Sequence, residues 1–143
     1  MRAPLKFLIG LALALLVGWA WHGPAGNGEK LAGRLENDLR NLVAQAKLPA
    51  ISARIERDPL SRNAVISGTA NDLQREGLGS QFGVKDYARA TPGIGKVRWD
   101  DEPAGFSLPL LAETLAVTAL AYAIGFGLAA LLFNRRRRTS FLD

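Results

Sequence analysis

The stretch Leu110 to Phe133 carries a single charged residue, Glu113, and is followed by Asn134 and four consecutive arginines, Arg135, Arg136, Arg137 and Arg138. As a helix it reaches roughly 36 Å at ~1.5 Å per residue, more than the ~30 Å hydrocarbon core of a bilayer, so it reads as a tilted membrane span. The arginine run reads as its cytoplasmic stop. A second apolar run, Phe7 to Trp21, follows Arg2 and Lys6, and fits either a secretory signal peptide or a short anchor supplied by residues 4–22 with Trp19 and Trp21 as interfacial aromatics.

Charge distribution decides what the net charge of +5 means. Between His22 and Ser107 there are 12 Lys and Arg against 11 Asp and Glu, so the excess sits in the two tails, as membrane topology requires, and not on a nucleic-acid-binding face. The positive-inside rule then places both tails in the cytoplasm and the middle of the chain across the membrane. The absence of cysteine removes thiol catalysis, disulfides and Cys-based metal sites, and His22 is the only histidine. No cofactor is expected. The expected organisation is an N-terminal membrane segment (4–22), an outer domain (28–102), a membrane helix (108–133) and a basic cytoplasmic tail (134–143).

Within the domain, Leu31, Leu35, Leu39, Leu42, Val43 and Ala46 recur at helical steps, with Pro49 closing the helix. Ile51, Ala53 and Ile55 alternate with polar residues as in a half-buried strand, Asp58 to Asn63 reads as a turn, and Ala64 to Thr69 as a second strand. Asn71 or Asp72 can cap a helix, which Gly77, Gly79 and Gly83 interrupt. Val84, Tyr87, Ala88 and Thr91 fall on one helical face before Pro92-Gly93, and Val97 and Trp99 alternate in a last strand. The fold class expected is α+β, a small α-β-β-α-β domain flanked by two transmembrane helices.

VISGTAND (Val65 to Asp72) and ARATPGIGKV (Ala88 to Val97), in this order of elements, resemble the BON domain of bacterial envelope proteins over roughly residues 31–101. Gly68 at the end of the second strand, and Pro92, Gly93, Ile94 and Val97 at the entry to the last, carry the resemblance. The glycine-rich stretch Gly77 to Gly83 departs from it, and only one copy is present. The resemblance implies a non-catalytic, periplasm-facing module that associates with membrane, phospholipid or other envelope components.

Several residues are candidates for contact. Leu78 and Phe82, on a glycine-rich loop, could enter a nearby headgroup region or cover their own sheet. Gly10, Ala14 and Gly18 in the first apolar segment and Ala121, Gly125 and Ala129 in the second form small-residue stripes that suit close helix packing, within the chain, with a partner or in a homo-oligomer. Glu113 suits a helix N-terminus at headgroup depth. Asp100, Asp101 and Glu102 read as a solvated linker, and Arg54, Arg57 and Arg62 as a charged face. The expectation is a non-enzymatic bacterial inner-membrane protein whose periplasmic domain contacts membrane lipid. The alternative is an assembly subunit that docks an envelope protein partner through its membrane helices.

Overall fold

Helix α2 (Asn27–Val43) forms because its apolar residues recur every three or four positions, and it buries Ala32, Leu35, Leu39 and Val43 along one stripe. The computed structural model describes residues 3–79 and 81–139, with side-chain environments for 4–79 and 81–133. A 3-10 turn, Ala44–Ala46, extends α2, and Lys47 in the left-handed region ends it. Strand β1 (Ser52–Arg57) turns Ala53 and Ile55 toward α2, and β2 (Leu60–Ser67) turns Ala64 and Ile66 the same way, as a period of two requires.

The two strands are antiparallel, with Ala53 opposite Ile66 and Ile55 opposite Ala64. Strand β5 (Val97–Trp99) joins the other edge of β2 in parallel, so β2 is central in a three-stranded sheet. The connection from β2 to β5 carries α3 (Asp72–Glu76), a two-by-two hairpin of β3 (Gly77–Leu78) and β4 (Gln81–Phe82), and α4 (Val84–Arg89). Helices α2 and α4 cover one face, and Leu39, Ile55, Ile66, Val84 and Trp99 fill the core between them and the sheet. Each such burial contributes roughly 1.5–3 kcal/mol.

Two segments differ from the sequence expectation. The turn expected over Asp58 to Asn63 is shorter, because Leu60 already pairs with Arg57 and buried Ser61 donates to Glu56 at 3.3 Å. The glycine-rich stretch is a hairpin in place of a loop: Asn71 and Gln74 close a capping box at the start of α3, and Gly77, with φ 75°, turns the chain out of it into β3.

The terminal helices α1 (Ala3–His22) and α5 (Leu110–Thr139) are each long and apolar enough to cross a membrane, over Pro4–His22 and Leu110–Phe133. They pack as an antiparallel pair, but their small-residue stripes do not meet. Gly10 lies against the Tyr122 ring, and Gly18 is buried against Leu115 and Thr118. The Tyr122 hydroxyl donates to the Phe7 carbonyl at 3.0 Å, and the Phe7 ring sits 5.4 Å from Tyr122 and 5.0 Å from Phe126. Small residues on α1 thus receive large ones on α5. Ala121 and Gly125 point away from this contact, nothing lies within 4 Å of a side chain built at Gly125, and Ala129 is half-buried.

Candidate functional site

The domain is clasped to one end of the helix pair. Gly28, near the start of α2, lies so close to the His22 ring that a Cβ there would come within 2.6 Å of it. His22 Nδ1 is 3.4 Å from the Thr114 hydroxyl, and Asn27 donates to the Trp21 carbonyl at 3.0 Å. From the central strand, Arg62 reaches α5 and pairs with Glu113 at 2.6 Å, beside the fully packed Leu110. Glu113, expected at the headgroups as a helix-dipole partner, therefore bonds to the domain, and Arg62 is part of that joint instead of an open charged face.

Beside this joint lies a groove of about 360 Å³, whose walls include Leu31, Arg62, Glu113, Thr114, Val117 and Thr118. The α5 residues descend roughly 7.5 Å along the helix from Glu113 to Thr118, at ~1.5 Å per residue. Thr118 is level with Gly18 on α1, within that helix's apolar run. Thr114 and Thr118 donate to the carbonyls of Leu110 and Thr114, at 2.9 and 2.8 Å, so their hydroxyl oxygens face outward chemistry only as acceptors. In the sequence Glu113 stands out only as an acid near the start of a span, nothing there ties it to Arg62, and Thr114 carries no signal of its own.

The face of the sheet away from α2 carries a polar cluster under the segment that returns to α5. Glu56 accepts from Arg98 at 3.3 Å, Asn63 at 3.1 Å and Ser61, and Asn63 also bridges to Ser107 at 3.0 Å. Burial alone would raise the Glu56 carboxyl, but Asn63, Ser107, Arg98 and Ser61 together hold it below the usual carboxylate range. A cavity of about 120 Å³ adjoins this cluster, with Lys96, Pro103 and Phe106 on its wall. Its titratable groups are spent on fixing the returning segment: Lys96 donates to the Phe106 carbonyl at 3.3 Å.

Leu78 and Phe82 are exposed, each at 73%, at the end of the domain opposite the helix pair. The pairing of α2 with β1 fixes this direction. Arg57 meets Glu29 at 2.7 Å near the helix pair, whereas Arg40, further along α2, donates to Ala53 at 3.3 Å. Phe82 lies beyond that, over Tyr87 at 5.8 Å between ring centres, in a shallow groove of about 200 Å³ with Leu42 and Ala90. Gly28 and Leu42 are roughly 21 Å apart along the helix at ~1.5 Å per residue, so the hairpin sits beside the end of α2 remote from the His22 contact.

The acidic run is tied down at two points. Asp101 pairs with Arg75 at 2.6 Å, and Glu102 and Glu76 both accept from Lys85 at 2.8 Å. Burial would lower Lys85, but these two carboxylates hold it above its ordinary value, and Lys85 in turn lowers Glu102. Among the described residues no three His, Asp or Glu side chains converge as a metal site would require. Gly68 has φ 127° with the Ala50 carbonyl where a Cβ would sit, and Gly93 has φ 86° against Leu35. Pro92 is exposed and Val97 packs against the core. The side chains of Arg135 to Arg138 lie outside the described residues.

Comparison with family models, with curated proteins and with solved structures found no match to this chain.

Proposed function

We propose that this chain is a non-enzymatic envelope protein of BON type, held in the bacterial inner membrane by α1 and α5, with its domain on the periplasmic face in contact with phospholipid and both tails cytoplasmic. The observation that carries this reading is the groove beside Arg62 and Glu113, which runs from the domain onto the first turns of an apolar helix. A groove that begins at charged groups and continues along a membrane span has the two surfaces a lipid presents, a polar head and an apolar chain. The titratable side chains of the outer face are occupied with each other, which suits a scaffold.

The test is the lipid content of the full chain purified in mild detergent. About one tightly retained phospholipid per chain, whose removal lowers the thermal midpoint and whose return restores it, is the expected result. Complete delipidation with no change in midpoint would overturn the reading.

A second reading has its own observation. The distal hairpin presents Leu78 and Phe82 beside the Leu42 and Tyr87 groove, away from the membrane helices, and suits a protein partner within an envelope assembly. Cross-linking from a photoreactive residue at Phe82 to a discrete protein band supports it; labelling of lipid alone removes it.

A further inference from the structure

Resting on the lipid-contact reading, we infer that the groove at the Arg62 and Glu113 joint selects a phospholipid whose headgroup carries both a phosphate and a primary ammonium. The two charges at the groove mouth are of opposite sign and 2.6 Å apart, so the mouth is a dipole without net charge. A zwitterionic headgroup can place its phosphate on Arg62 and its ammonium on Glu113, matching each charge with its opposite. An anionic headgroup without an ammonium satisfies Arg62 and leaves its excess negative charge beside Glu113.

The donor and acceptor inventory sharpens the choice. The pair engages Nη2 of Arg62 and Oε2 of Glu113, and a guanidinium has five N–H donors while a carboxylate has two acceptor oxygens. Both can therefore take a further partner while still bonded to each other. The hydroxyls of Thr114 and Thr118 already donate to α5 carbonyls, so toward a ligand they are acceptors. The Glu113 carboxylate, with the Thr114 oxygen beside it, can accept from the N–H groups of a primary ammonium, whereas a trimethylated ammonium has none to donate; Thr118, a turn further along α5, lies at the level of the acyl chain. Val117, exposed at 67% on the same side of α5, supplies an apolar track for an acyl chain, and Leu31 covers the glycerol level from α2.

The experiment presents the delipidated full chain with equal amounts of phosphatidylethanolamine, phosphatidylcholine and phosphatidylglycerol of matched acyl chains, and reads bound lipid by native mass spectrometry. The expected result is an ethanolamine-lipid adduct about fivefold or more above the other two. Glu113→Gln should bring it down to the choline-lipid level, and Arg62→Gln should reduce all three adducts. Fluorescence of the buried Trp99, read in a background with Trp19→Phe and Trp21→Phe, checks that each variant is folded. Lipid bound without headgroup preference, or with a preference that neither variant alters, overturns the selectivity while leaving the lipid-contact reading in place. A chain that binds none of the three overturns both.

Discussion

Arg62 on the central strand and Glu113 in the first turn of the C-terminal helix, 51 residues apart in sequence, form an ion pair of 2.6 Å that fastens the sheet to a membrane-competent helix. The domain is therefore not suspended on flexible linkers. With Gly28 of α2 packed against the His22 ring on the other side of the joint, two elements of the domain meet the same end of the helix pair.

The pair itself is a modest contributor to stability. With 44% and 26% of the two side chains exposed, solvent screens it, and a double-mutant cycle on Arg62→Gln and Glu113→Gln should give a coupling of about 1 kcal/mol or less. Amide exchange is expected to rise at the start of β2 and the first turn of α5 while β1 and α2 keep their protection. Loss of protection throughout the domain would show that the pair supports the fold and not only the joint.

The helix pair should respond unequally to bulk at its glycines. Gly10→Leu places a side chain where Tyr122 now sits, which should cost about 1–3 kcal/mol of helix association and separate fluorophores placed near Pro4 and Phe133. Gly125→Leu faces open space and should leave that distance unchanged. An equal effect at the two positions would contradict the observed face of α5.

Gly68 is held at φ 127° with the Ala50 carbonyl against it, so any side chain meets both backbone strain and a clash. Gly68→Ala should destabilise the domain by about 1–3 kcal/mol, read as the denaturant midpoint. Gly79→Ala, with φ 58° but open space around it, should cost less.

Acid should loosen the outer face of the sheet. Glu56 and Glu102 both titrate below their ordinary value of 4.5 in the folded chain, so their stabilisation is complete above that pH and is lost as pH falls through the folded values. Lys85 is raised above 10.5, so its contribution is complete below that pH and is lost as pH rises through the folded value. A thermal midpoint that declines on acidification below about pH 4.5, less steeply in Glu56→Gln, is the expected profile. A profile identical in the variant would show that Glu56 does not carry the acid response.

The regular elements were legible because their burial is periodic. Leu35, Leu39 and Val43 are spaced for one helix face, and Ala53 and Ile55 for one strand face, and both sets are buried together. The two apolar spans were legible from length and charge alone. The hairpin of Gly77–Leu78 and Gln81–Phe82 was not, since two-residue strands are too short to show a period. The Arg62 and Glu113 joint was hidden because each residue has an adequate local explanation and only the fold brings them together. The glycine stripe of α1 signals close approach but not what fills it: the space at Gly10 is taken by Tyr122 of α5, which no small-residue spacing singles out.

The most direct test of the membrane arrangement uses the absence of native cysteine, which lets one introduced thiol report alone. Leu78→Cys, at an exposed position of the domain, and Ser140→Cys, in the basic tail, are each treated in spheroplasts with a membrane-impermeant maleimide. Labelling of Leu78→Cys before permeabilisation, and of Ser140→Cys only afterwards, is the expected result. The reverse order, or both thiols reacting from the same side, would contradict a hairpin that holds its domain across the membrane from its tails.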